Sequence, residues 1–199
     1  KLPIVIVDSG TQNPSSLRGA VREGRRLLKR KCGEQFEVDL VAIDYIQIMH
    51  GEHGGTRENE VSQISGANRE LAKQENCAVL ELSQLNRKVE ERPDKRPIMA
   101  DLRESGAIEQ DADMVWFIFR ADYYHEASRP DMPTETSTTD AAEKFRVWEE
   151  KYLELRNKAT LIVAKQRHGS TGNVPLLFQA EYTKFSSPEF RDYTDYGYE

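Results

Sequence analysis

Four short stretches of this 199-residue chain carry residue types that do chemistry. In VDLVAIDYIQIM an apolar run closes on Asp44. An acid in that place can hold a Mg²⁺ ion, usually through water, beside nucleotide phosphates, or it can cap the next turn. In AVLELSQLNR the next apolar run closes near Gln84, whose neutral amide can touch a terminal phosphate and report its presence, or bond the backbone of its own turn. Lys165 and Arg167, in AKQRHGSTG, are cations one residue apart ahead of a glycine turn. At a strand end they project the same way, and they either reach a phosphate site on a neighbouring subunit or decorate a surface hairpin. In DLRESGAIEQDAD, Arg103, Glu104 and Ser105 precede Gly106. Arginine before a flexible glycine step, with backbone N–H groups exposed, suits phosphate contact. The acids Asp101, Glu109, Asp111 and Asp113 around it suit a salt-bridged loop as well.

Other chemistries find no support. His50, His53, His125 and His168 lack metal-ligand spacing, and Cys32 and Cys77 form neither a C-x-x-C pair nor a disulfide framework, with Cys77 expected in the core. There is no G-x-S-x-G, no G-x-G-x-x-G and no G-x-x-x-x-G-K-[ST] among the 199 residues. The last pattern is the phosphate cradle of most nucleotide-hydrolysing sheets. The 28 Lys and Arg against 34 Asp and Glu give a net charge of −6, which argues against a general nucleic-acid coat and leaves room for contact through local loops. No apolar stretch approaches the roughly 18 residues of a membrane span, and no secretory signal opens the chain. A reduced, cytoplasmic setting is the expectation. Lys1 in place of an initiator methionine suggests a fragment or a processed chain.

The elements that must position these residues alternate. Leu2–Val7 reads as a strand, and Asn13 followed by Pro14 reads as a helix start. The helix runs to Lys31 with Leu17, Val21 and Leu28 on one face and seven Arg and Lys around it, and Gly33 ends it. Such a basic face is usually solvated, with some members paired to acids on a neighbour. Val38–Asp44 is a nearly unbroken apolar strand, of the kind covered on both faces in a parallel sheet. His50–Thr56 is a glycine-rich loop, Glu58 to Glu75 a helix, and Ala78–Leu82 a strand. Arg87–Pro97 reads as a charged surface loop and Asp113–Phe119 as another buried strand. Ala121–Thr139 is the least ordered-looking segment, followed by a helix over Asp140–Lys158. Ala159–Ala164 and Val174–Phe178 form an edge hairpin joined by Lys165–Asn173, and the tail from Ser186 is peripheral. Strand, helix, strand, helix, strand predicts a parallel α/β sheet, whose function collects at the carboxyl ends of its strands.

Taken together, LPIVIVDSGTQNPSSLRGAVR, VDLVAIDYIQIM, the block from SQLNR to DLRESGAIEQDAD and LIVAKQRHGSTGNVPLLF resemble the C-terminal motor domain of the DnaB-family replicative helicases. The resemblance implies a RecA-like, mostly parallel sheet flanked by helices with a C-terminal antiparallel hairpin. It places a partial motor domain over residues 1–185 and a tail over 186–199. It further implies a homo-hexameric ring that hydrolyses ATP with Mg²⁺ to move 5′→3′ along single-stranded DNA and unwind duplex, with a primase and a helicase loader as partners and no membrane. On this resemblance Asp44 is the acid supporting Mg²⁺ through water, and Gln84 the γ-phosphate sensor. Lys165 and Arg167 are the basic pair reaching the adjacent subunit's ATP site, with Arg167 as the finger. Arg103, Glu104 and Gly106 track the DNA backbone, and the His50–Arg57 loop faces the channel. Two departures stand out. Ser170 replaces the proline expected in KQRHGPTG, and the Walker A strand and loop of the family are expected ahead of Lys1, so this stretch alone is expected to show no DNA-stimulated ATPase. The alternative is a catalytically inactive RecA-like module used for ring assembly or partner docking.

Overall fold

The computed structural model describes residues 2–10, 12–52, 55–102, 106–134 and 138–188. They fall into two compact units, Lys1–Pro93 with Ile98–Asp113, and Asp94–Pro97 with Met114–Glu199.

The first unit is built around a parallel strand pair. Helix α1 (Pro14–Cys32) begins as the sequence predicts. Asn13 Oδ1 accepts from the Ser16 N–H at 2.8 Å, Ser16 Oγ accepts from the Asn13 N–H at 2.9 Å, and Pro14 takes the first helical position, where no donor is lost. Strand β1 (Leu40–Ile43) passes through a 3₁₀ turn (Ile46–Ile48) and a loop into α2 (Arg57–Glu75), which crosses over to β2 (Ala78–Glu81). β1 and β2 pair in parallel, Leu40 opposite Ala78 and Ile43 opposite Glu81. Thr56 caps α2, and Asn76 ends it in the left-handed region at φ 49°, a conformation asparagine tolerates. Short 3₁₀ turns (Arg87–Glu91, Met99–Asp101) then lead to α3 (Gly106–Asp111).

The core of this unit joins Ile43, Ile46, Met49, Val61, Ile64 and Ile108, and Ile46, Val61 and Ile64 are 0% exposed. Leu17, Val41, Val79 and Leu102 pack against it. The basic face of α1 is partly paired, as expected. Arg25 Nη1 meets Glu75 Oε2 at 2.7 Å, Arg22 Nε meets Glu75 Oε1 at 3.1 Å, and Lys29 Nζ meets Glu37 Oε1 at 2.6 Å. Arg25, followed by Arg22, holds the Glu75 carboxyl below its ordinary pKa. Cys77 is buried, and burial pushes its thiol up.

The second unit is an antiparallel sheet in the order β3 (Met114–Phe119), β4 (Lys158–Gln166), β5 (Gly172–Gln179), β6 (Lys184–Ser186). Two helices, α4 (Ala121–Glu126) and α5 (Thr139–Leu155), lie between β3 and β4 in the chain. They are joined by a reciprocal pair: His125 Nε2 donates to the Trp148 carbonyl at 2.9 Å, and Trp148 Nε1 donates to the His125 carbonyl at 3.1 Å. The two rings stack at 5.4 Å, and Tyr152 stacks on Trp148 at 5.3 Å.

The structure corrects the sequence reading in five places. Leu2–Val7 forms no strand among the described residues. Its side chains are largely open to solvent, Leu2 at 80% and Ile6 at 85%, because an apolar run becomes a strand only beside a hydrogen-bonded neighbour. The sheet is not mostly parallel. Among the described residues only β1 and β2 pair that way, and β3 joins the antiparallel set through β4, since alternation of strands and helices counts connections without fixing pairing. The apolar strands are not covered on both faces: Leu40, Leu80, Met114, Trp116 and Ile118 are exposed while Ile43, Val115, Phe117 and Phe119 are buried. The segment read as least ordered contains α4. The C-terminal hairpin gains a third strand, β6, so Ser186 closes a strand and does not begin the tail.

Candidate nucleotide and nucleic-acid site

Asp44 and Gln84 lie just past the carboxyl ends of two adjacent parallel strands, where the α/β rule places function. The strand ends are stitched by backbone: the Leu82 N–H donates to the Ile43 carbonyl and the Ile46 N–H to the Leu82 carbonyl, both at 2.9 Å. Both side chains are exposed, and neither has a hydrogen bond or ion pair within the described structure. Neither side chain bonds its own turn among the described residues. The 3₁₀ turn after Asp44 is capped at Tyr45 with no side-chain bond, and the backbone of the Gln84 turn is satisfied by another residue. Two uncommitted polar side chains at neighbouring strand ends, one anionic and one a neutral amide, fit a hydrated Mg²⁺ and a phosphate oxygen respectively.

That other residue, which the sequence reading missed, is Gln47. Its Oε1 accepts from the Gln84 N–H at 3.2 Å, and its Nε2 donates to Ser83 Oγ at 2.9 Å and to the Gln84 carbonyl at 3.4 Å. Arg57 in turn donates to the carbonyls of Gln47 (2.6 Å) and Met49 (3.1 Å) and to Glu60 Oε2 (2.7 Å). Arg57 was expected to face a channel with the His50–Arg57 loop. Its guanidinium fastens that loop's end to the turn that follows Asp44. A polar residue one helical turn past the end of an apolar strand was the available signal for Gln47.

Of the expected DNA-contacting residues, Arg103 and Glu104 lie outside the described residues, as does His53 of the second loop. Gly106 is exposed at the start of α3, with open space where a Cβ would stand. The root of the loop is well defined. Leu102 forms a β-bridge with Leu85, the residue after Gln84, and the Asn86 N–H donates to the Asp101 carbonyl at 2.8 Å. Asp101 is buried and gripped by both ends of the Arg92 guanidinium, Nη1 at 2.8 Å from Oδ1, while its Oδ2 accepts from the Ile98 N–H at 2.8 Å. Arg92 holds the Asp101 carboxyl below the usual range.

In the second unit, Lys165 is half-buried within β4 opposite Val115, and Arg167 is exposed in the turn that follows. β4 runs further than expected, so residues 167–171 make the connection to β5. The register shifts between Val115 and Trp116, an irregularity that breaks strict alternation on β4 just before Lys165. The described residues contain no cluster of three or more His, Cys, Asp or Glu suited to a metal and no helix long and apolar enough to cross a membrane.

The chain is similar to proteins already known. The family described as the DnaB-like helicase C terminal domain matches residues 1–187. The replicative DNA helicase DnaB of Rickettsia bellii is 40% identical over 177 residues, covering 88% of this chain and 34% of the relative. That of Geobacillus stearothermophilus is 40% identical over 181 residues, covering 89% and 33%. Two solved structures superpose with a TM-score of 0.69 at 34% identity over 92% of this chain. One is a DnaB-like replicative helicase described with its interactions with primase, of which 37% is covered, and the other is described as an ATPase domain, of which 54% is covered. The chain spans about a third of the length of these curated relatives.

Proposed function

The chain belongs to the family of DnaB-like helicase C-terminal domains, and from that premise we propose that it forms the greater part of the motor of a replicative DNA helicase. The motor couples ATP hydrolysis to 5′→3′ movement along single-stranded DNA, as a cytoplasmic homo-hexamer served by a primase and a loader. The observation that carries this reading is the backbone path from Gln84 through Leu85 and Asn86 to Leu102 and Asp101, which links the candidate phosphate-sensing residue to the root of the candidate DNA loop.

Asp44 holds Mg²⁺ through water, and the ion, when bound, neutralises charge on the β- and γ-phosphates. Gln84 offers its amide to the terminal phosphate. Because Gln47 already satisfies the Gln84 backbone, the side chain is left to respond to the ligand alone. Lys165 and Arg167 serve the pocket of the adjacent subunit, where a cation supplied in trans stabilises transition-state charge. Arg103, Glu104 and Gly106 follow the DNA backbone, and contact through loop N–H groups makes sequence preference weak. The cradle for the β- and γ-phosphates is assigned to a part of the subunit outside these 199 residues.

The test is ATP turnover and unwinding of a forked duplex by the full-length subunit. DNA-stimulated turnover that Asp44→Ala removes is the expected result. Absence of turnover in the unaltered protein would overturn the proposal in favour of an inactive assembly or docking module.

A further inference from the structure

A group that senses a phosphate has to be aimed, and Gln84 cannot aim itself. Its side chain is long, exposed and without a hydrogen bond within the described structure, so where its amide lands is set by how firmly the main chain beneath it is held. Gln47 grips that main chain on both sides of the Gln84 Cα. Its Oε1 accepts from the Gln84 N–H at 3.2 Å, and its Nε2 donates to the Gln84 carbonyl at 3.4 Å and to Ser83 Oγ at 2.9 Å. A carboxamide carries an acceptor oxygen and two N–H donors, which is what this three-way contact uses. Gln47 is itself set in place. It lies in the 3₁₀ turn Ile46–Ile48, between Ile46 and Met49 at 0% and 1% exposure, and the Ile46 N–H donates to the Leu82 carbonyl at 2.9 Å. Arg57 completes the grip from behind: Nη2 donates to the Gln47 carbonyl at 2.6 Å, and Nη1 donates to the Met49 carbonyl at 3.1 Å and to Glu60 Oε2 at 2.7 Å. The chain after Met49 is tied to the start of α1 as well, where the His50 N–H donates to the Gln12 carbonyl and the Ser15 N–H to Glu52 Oε1, both at 2.9 Å.

We propose that Gln47 is a positioning residue for ATP turnover, aiming the Gln84 amide at the terminal phosphate, and that Arg57 acts through Gln47 to the same end. The role in turnover rests on the phosphate-sensing function proposed for Gln84, whereas the clamp on the Gln84 main chain rests on the hydrogen bonds alone. The bonds run without a break from Arg57 through the Gln47 carbonyl and carboxamide to both poles of the Gln84 backbone. A displacement at either end of that path is felt at the other. A residue that only stabilised this turn would act on the chain whatever stood at position 84. A residue that aims Gln84 matters to turnover only while Gln84 carries its amide.

The test is a double-mutant cycle in the full-length subunit, with kcat and KM for ATP measured beside hydrogen exchange of the Gln84 amide. Gln47→Met keeps the length of the side chain and offers the main chain no donor and only a weak acceptor. It should speed exchange of the Gln84 amide about five- to tenfold, the worth of one hydrogen bond. It should lower kcat about ten- to a hundredfold, the scale of a misplaced reacting group, while KM for ATP moves by less than about twofold. In a Gln84→Ala chain the same substitution should leave kcat where Gln84→Ala has already put it. Gln47→Glu keeps the acceptor for the Gln84 N–H, loses the donor to its carbonyl and should fall between; it carries the test if the Met variant does not fold. Arg57→Lys, which keeps the charge toward Glu60 and loses the fork to two carbonyls, should show the same dependence on Gln84 with a smaller loss. A kcat loss that is equal with and without the Gln84 amide, or no loss, would overturn the positioning role, and unchanged exchange would overturn the clamp. Because exchange is read without nucleotide, a protein whose Gln84 amide answers to Gln47 but which turns over no ATP would overturn the proposed function and leave the clamp standing.

Discussion

Asp44 and Gln84 are held very differently from Arg167. The first two sit on strand ends whose backbone is stitched together, braced by Gln47 and Arg57 and backed by Ile46, Val61 and Ile64 at 0% exposure. Arg167 is exposed in the connection between two strands, residues 167–171. The difference follows the job assigned to each. A group that acts within its own pocket gains from a site fixed by packing, where positional error costs rate. A group that acts on a neighbour has to project, and a turn beyond a long β-ladder gives reach with a firm base.

The comparison makes its sharpest claim at Arg167. In the full-length subunit Arg167→Ala should lower ATP turnover by about a thousandfold or more, the range of arginine fingers supplied in trans, with nucleotide affinity and folding stability unchanged. Mixing it with an Asp44→Ala subunit should restore part of the turnover, because each then supplies what the other lacks. Turnover unaffected by Arg167→Ala would break the comparison. Ile64→Ala probes the other side: a buried isoleucine cut to alanine should cost about 2–5 kcal/mol in denaturant unfolding, and the loss should carry the Asp44 region with it. Arg92→Ala leaves the buried Asp101 carboxylate without its guanidinium and should cost about 1–3 kcal/mol. Because Asp101 is held below its unfolded pKa, its contribution is present at neutral pH and disappears as pH falls through the folded value. Unfolding curves taken down through the acid range should show the wild type converging on Asp101→Asn. At the small end, Arg146→Ala on the exposed face of α5 removes pairs to Glu143 and Glu150 and should leave the unfolding midpoint unmoved, as solvated ion pairs do.

Local grammar was readable from the residues where a single segment decides it. Asn13 before Pro14 and the Val61, Ile64, Leu71 stripe specify their helices whatever lies around them. Pairing was not readable in the same way, because a hydrogen-bonded ladder belongs to two segments at once. Nothing inside Met114–Phe119 says that its neighbour runs antiparallel, and nothing inside Leu2–Val7 says that it has none among the described residues. The site divides along the same line. Asp44 and Gln84 could be found because strand ends in α/β proteins are where such groups gather. Gln47 and Arg57 could not, because their work is done through bonds to the main chain of residues elsewhere in the sequence.

The tie between the Gln84 segment and the root of the Arg103 loop is made of peptide groups, the Leu85–Leu102 bridge and the Asn86 N–H on the Asp101 carbonyl. Any amino acid except proline supplies the same donor at position 86. The tie itself is therefore indifferent to the side chains that bear it, but a single inserted or deleted residue between 85 and 102 would throw the two ends out of step.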